Sequence, residues 1–171
     1  MTDPDPTIAA QSLCDRHVVK MVLESAQLLS SARPKAKGYK PTHLNHPCTQ
    51  WVSKTDSNYQ WLFNHFQALA EEYTYRYAKE HLSWTKLHTV LRPAEKAEKD
   101  ITPPALAMPD EYKVSDCPYT NYRNYYRLAK ATQTWCKWER NREQPNWAMN
   151  TITWNHQPTI MKPSRLSFSW Q

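Results

Sequence analysis

The chain has 171 residues, 40% of them hydrophobic, a formal net charge of +6 and a single glycine, Gly38. That size suits one domain with one core. No apolar run approaches the about 20 residues of a membrane span, so no membrane partner is expected. With one glycine, neither a dinucleotide-binding fingerprint nor a P-loop can form, because each needs several to bring backbone amides against phosphate.

The start, Met1-Thr2-Asp3-Pro4-Asp5-Pro6, is acidic and lacks an apolar signal core, which points to the cytoplasm. A first helix is predicted from about Thr7, as cap, to Ser31, ending before Arg33-Pro34. It is apolar almost all round except for His17, Lys20, Glu24, Gln27 and Ser31, which spacings of three and four place on one face. The apolar remainder (Val18, Val19, Met21, Val22, Leu23, Ala26, Leu28, Leu29) is too extensive for a helix lying on a surface, so the stripe is expected to line an internal cleft. The stripe also suits a structural polar network. Burial and neighbouring charge can tune an ionisable pair such as His17 and Glu24 for catalysis.

Residues 34–48, with Pro34, Gly38, Pro41 and Pro47, read as an irregular basic connection. A second major helix is expected from Thr49 to about Tyr77, broken near Thr55-Asp56, where Asp56 could cap. A shorter helix is expected around Trp84–Leu91. Prolines 103, 104, 109 and 118 exclude regular structure across most of 101–118. A further helix is predicted from about Tyr119 to Arg142, followed by a Trp- and Pro-rich tail. The fold class is mainly α: a single compact domain, 1–171, of three to five helices with long Pro-rich irregular segments.

Charge is unevenly spread. From Tyr119 onward eight basic residues face only Glu139 and Glu143, matching the net charge of the whole chain, and Arg33, Lys35, Lys37 and Lys40 form a second cluster without an acid. Two such clusters suggest a polyanion, with nucleic acid foremost. Ordinary solubilising charge is the alternative. The cysteines, Cys14, Cys48, Cys117 and Cys136, form no C-x-x-C pair, so reduced thiols are expected rather than zinc or a disulfide framework.

Thr2, Leu13-x-Asp15-x-His17 and Glu24 seven residues beyond the histidine resemble the pyrimidine-dimer DNA glycosylase family of phage endonuclease V. His46, Trp51 and the amphipathic helix ending Ala70-Glu71-Glu72 are similar to the family's central histidine and following helix, and Gln144-Pro145-Asn146-Trp147 to a Pro-x-Trp element near its end. Residues 1–77 and 119–150 fit the pattern, with 79–118 an insertion and 151–171 an irregular extension. The resemblance implies a glycosylase and AP lyase without cofactor, acting as a monomer on damaged or modified pyrimidines in duplex DNA, in the host cytoplasm if the origin is phage.

Its nucleophile is then the Thr2 amine, freed by loss of Met1. An α-amine titrates at about 7.7–8.0 against about 10.4 for lysine, so at neutral pH it is the better nucleophile. It attacks C1′, displaces the base, and forms an imine that permits β-elimination. Glu24 stabilises developing positive charge and moves protons, and His17 contacts sugar or phosphate, or orients Glu24. DNA contacts are expected from Arg16, Lys20, Arg33, Lys35, Lys37, Lys40, His46, Arg123, Arg127 and Trp147, with Trp147 and Tyr125 as stacking or wedge residues.

The sequence departs from the family in carrying Leu23 and Gln27 beside Glu24, where the family has arginines, and Asp3 and Asp5 near the amine, where a carboxylate favours the ammonium form. Lys20 is the alternative amine if desolvated. Two other functions fit the same residues. His17, Glu24, His43 and His46 could gather a divalent metal in a nuclease or phosphoesterase, or the chain could be a basic nucleic-acid-binding domain without chemistry.

Overall fold

A computed structural model describes residues 1–93, 97 and 101–149. The predicted tail beyond residue 149 and most of the charged stretch 95–100 lie outside the described residues. Six α-helices are present among them: α1 (Pro6–Gln11), α2 (Asp15–Ala32), α3 (Pro47–Lys54), α4 (Asp56–Tyr77), α5 (Leu82–Leu87) and α6 (Pro118–Tyr125). No strand occurs among the described residues, in agreement with the mainly α expectation. None of the described helices is long and apolar enough to cross a membrane.

α4 is the hub, packed by α1, α2, α3 and α5. Val18, Val22, Ala26 and Leu29 of α2 recur every three or four residues and join Leu62, Phe66, Leu69 and Tyr73 of α4 in the core. Thr55, not Asp56, caps α4, its hydroxyl accepting the Asn58 N–H at 3.1 Å. Asp5, not Thr7, caps α1 through the Thr7 and Ile8 amides. The lone glycine lies where the basic loop crosses α2: a Cβ on Gly38 would fall 2.3 Å from Ser30 Oγ. That hydroxyl accepts the Tyr39 N–H, and Ser31 Oγ exchanges hydrogen bonds with the Thr42 backbone, so this end of the polar stripe fastens the loop.

The predicted first helix is two helices with a break at residues 12–14. The break is paid for by groups remote in sequence. The Cys14 N–H donates to Tyr126 Oη, the Asp15 N–H to the Lys137 carbonyl, and the Arg76 guanidinium takes the carbonyls of Gln11 and Leu13. Arg76 also pairs with Asp15 and Glu72, and Arg142 clasps Glu72 through two nitrogens at 2.8 and 2.9 Å. Burial alone would raise Glu72, but hydrogen bonds and charge from both arginines outweigh it and hold the carboxyl below its ordinary range.

The predicted Tyr119–Arg142 helix is also shorter. α6 runs into a π turn, Tyr126–Lys130, and the chain then turns through Gln133 and Cys136 to lie against the 12–15 break. The short helix expected at Trp84–Leu91 begins two residues earlier and ends at Leu87, with the Leu91 N–H still bonded to the Leu87 carbonyl. A 3₁₀ turn, Asp110–Tyr112, interrupts the otherwise irregular proline-rich segment.

Candidate active site

Chain ends usually fray, but this amino terminus is fastened from three helices. Trp61 Nε1 of α4 donates to the Pro4 carbonyl at 2.6 Å and His65 Nδ1, one turn on, to the Pro6 carbonyl at 2.9 Å. Arg123 of α6 donates to the Thr2 carbonyl at 2.7 Å and to the Asp3 carboxylate at 2.5 Å. Thr2 itself is only 2% exposed, its hydroxyl 2.7 Å from that of Ser12 at the end of α1.

Met1, Thr2, Leu13, His17, Met21, His65, Tyr122, Tyr125, Tyr126 and Lys130 enclose a cavity of about 170 Å³. Burial lowers the terminal amine of Met1 to about 6, with the Cys48 thiol acting weakly the other way. Asp3 and Asp5 were expected to raise the amine. Their charge is taken up elsewhere, Asp3 by Arg123 and Asp5 by the α1 amides, and desolvation decides the direction. Burial likewise lowers His65 to about 4, opposed by the Pro6 carbonyl, so that wall of the cavity is a neutral imidazole.

His17 Nδ1 lies 2.7 Å from Tyr126 Oη, and its ring sits edge-on to Tyr126 and tilted against Trp135 at 5.1 Å. Burial raises the Tyr126 phenol far above its usual range, so it stays protonated and holds the imidazole in place. Glu24 lies one helical turn beyond Met21. Its carboxylate pairs with Lys20 at 2.9 Å, and its charge is felt at the Cys48 thiol, which feels the terminal amine as well. Burial is the largest influence on Cys48 and raises it.

The stripe is therefore mixed: His17 lines the cavity and Ser31 is buried under the loop, while Lys20 between them faces solvent. Val19 and Leu23 beside it are 37% and 39% exposed. Lys20, the alternative amine, is half-exposed and ion-paired, without the desolvation that role requires.

The proposed DNA contacts separate into two sets. Arg16 and Lys20 line an open groove of about 580 Å³ with Tyr77, Trp135, Lys137 and Arg140, the Arg16 guanidinium 5.5 Å from the Trp135 ring centre. Lys35, Lys37 and Lys40 are exposed in the loop over α2. The others are engaged more deeply within the protein. Arg33 pairs with Asp56 and covers the Tyr59 ring at 3.8 Å, and His46 caps α3 through the Cys48 amide. Arg127 bonds Asn124, Arg123 holds the terminus, and Trp147 packs edge-on against Tyr126. Tyr125, the other wedge candidate, lies tilted against Tyr112 and borders the cavity. His17, Glu24, His43 and His46 do not assemble: among the described residues no group of three or more His, Cys, Asp or Glu could hold a metal ion.

Sequence reasoning missed His65, Lys130 and Tyr122 as walls of the cavity and Arg123 as the clamp on Thr2. Their signal is tertiary, since each comes from α4, α6 or the π turn onto a terminus remote in sequence.

The helical protein thus carries a cavity that its own amino terminus lines, and beside it a groove lined by cations, aromatic rings and the carboxylates of Asp15 and Glu139. The sequence profile of the pyrimidine dimer DNA glycosylase family matches residues 1–86. The chain belongs to that family, which makes it a DNA repair glycosylase by descent, with DNA as its substrate class. No curated protein and no solved structure matches it.

Proposed function

We propose that the protein is a DNA glycosylase and AP lyase that excises damaged or modified pyrimidines from duplex DNA with the Thr2 amine, exposed by removal of Met1. One observation carries the reading: the terminal segment is clamped from α1, α4 and α6 in a buried cavity, where desolvation favours the free amine. Thr2 is itself buried, so an amine created there inherits the same surroundings. Removing Met1 also enlarges the cavity by a residue, giving room for an extruded sugar.

The amine nitrogen bonds to C1′ and the base leaves with the glycosidic electron pair, taking up a proton. Loss of the amine proton and opening of the sugar ring give the imine. Abstraction of a C2′ proton then expels the 3′ phosphate. Glu24, half-buried and paired with Lys20, is the proton carrier and the counter-charge to the cationic intermediates. His17, held by Tyr126, positions the sugar. The groove of Arg16, Lys20, Lys137 and Arg140 takes flanking phosphates, and Trp135 offers a stacking face.

The test is strand scission of UV-irradiated duplex and of abasic-site duplex in the presence of EDTA. Cleavage of both is expected. Cleavage that EDTA abolishes and metal restores would favour a metal-dependent nuclease, and salt-sensitive binding without cleavage would leave a binding domain.

A further inference from the structure

Two of the four cysteines meet inside the protein. Cys14 precedes α2 and is fully buried, and Cys136, in the segment after the π turn, is 6% exposed. Both are free thiols, and each is the largest influence on the other's titration. The two segments are held together on either side of the sulfurs by bonds that do not involve them. The Asp15 N–H donates to the Lys137 carbonyl at 2.9 Å, Trp138 Nε1 to the Ser12 carbonyl at 3.2 Å, and the Glu139 N–H to the Asp15 carboxylate at 2.8 Å. Cys48 and Cys117 lie elsewhere, the one against Tyr122 and the other exposed beside Thr120.

We infer that Cys14 and Cys136 form an oxidisable dithiol site that a small peroxide closes to an intramolecular disulfide, locking the 131–149 segment onto the start of α2. The Cys14 thiol is the attacking group. Cys136 lowers it well below the ordinary thiol range, burial opposes, and His17 and Tyr126 add to the lowering. Its thiolate attacks the peroxide oxygen, giving a sulfenic acid and releasing an alcohol, or water from hydrogen peroxide, once the leaving oxygen takes a proton. Cys136 then attacks the sulfenic sulfur and expels water. Two electrons pass from the sulfurs to the peroxide, and the two thiol protons leave with the oxygen products.

With Cys14 fully buried and Cys136 6% exposed, a small oxidant is favoured over a bulky disulfide. Trp135, next to Cys136, rests on His17 and Arg16. The closed disulfide therefore fixes the joint between the groove and the candidate catalytic histidine.

The experiment treats full-length protein with a small excess of hydrogen peroxide, then unfolds it, alkylates the remaining thiols and maps the peptides by mass. Two of the four thiols should resist alkylation, the protein should lose the mass of two hydrogens, and a peptide joining Cys14 to Cys136 should appear and vanish on reduction. The oxidised form should unfold at a temperature several degrees higher, as expected for a long loop closed by a cross-link. Cys136→Ser should give no cross-link and leave a sulfenic acid at Cys14 that dimedone captures. Cys14→Ser should give neither product. Alkylation of all four cysteines after peroxide, a cross-link joining any other pair, or sulfinic acid without a cross-link would overturn the inference. The wild-type peptide map decides it even if a variant fails to fold.

Discussion

Residues 1–87 and residues 101–149 are held together by different means. The first region is five helices sharing an apolar core, with caps that can be read locally, and it spans the family match. The second is mostly irregular and depends on side chains reaching for backbone. Asn121 bonds the backbone of Val114 and Ser115, Tyr122 accepts from Ala107 and donates to Ala105, and Asn58 takes both sides of Thr102. The catalytic candidates Thr2, His17 and Glu24 all belong to the first region. The cavity that buries the amine is closed by the second, through Arg123, Tyr122, Tyr126 and Lys130. The catalytic candidates thus sit in a scaffold completed by residues beyond the family match.

Changes in the first region should be the more severe. Glu24→Gln is expected to slow base excision by about 10²–10⁴-fold, the usual contribution of a positioned acid or base, with DNA binding unchanged within a few-fold in an equilibrium assay. Equal activity of the variant would remove Glu24 from the mechanism. Arg76→Met strands Asp15 and the carbonyls of Gln11 and Leu13, and weakens the hold on Glu72. It should cost about 3–5 kcal/mol in urea unfolding, as breaking a buried ion network does.

Acid should act on the first region too. His65 is lowered to about 4 from 6.5, so the unfolded chain binds the proton more readily. The stability it contributes is complete above about pH 6.5 and is lost as pH falls toward 4, by about 3 kcal/mol. Urea midpoints followed from pH 7 to pH 4.5 should therefore fall less steeply for His65→Phe than for the native chain. Arg123→Leu tests the second region: it frees the Thr2 carbonyl and should cut excision by up to about 10²-fold through misplacement of the amine. A half-exposed arginine should matter much less to stability than Arg76 does. If Arg123→Leu unfolds the protein while Arg76→Met is tolerated, the division between the regions is wrong.

The same division explains what could be read from the sequence. Helical periodicity fixed α2 and α4, and the Thr2, Asp15, His17 and Glu24 spacing led to the family. The break at residues 12–14 was hidden because its hydrogen-bond partners, Tyr126, Lys137 and Arg76, are distant in sequence. The late helix was overextended because its aromatic and basic spacing continues past Lys130, while the Lys137 carbonyl is drawn to the Asp15 amide instead. Charge counting marked Arg123 and Arg33 as phosphate contacts, but a count cannot see that Asp3 and Asp56 also face them.

The central claim is that the amino terminus is the nucleophile, and borohydride trapping on abasic-site DNA tests it most directly. Protein shown by mass to begin at Thr2 should yield a covalent adduct mapping to the Thr2 nitrogen. Its formation should rise with pH and level off below the about 7.7–8.0 of an ordinary α-amine. Protein retaining Met1 should give no adduct at Thr2. An adduct on a lysine, or none from protein whose Met1 is gone, would contradict the account.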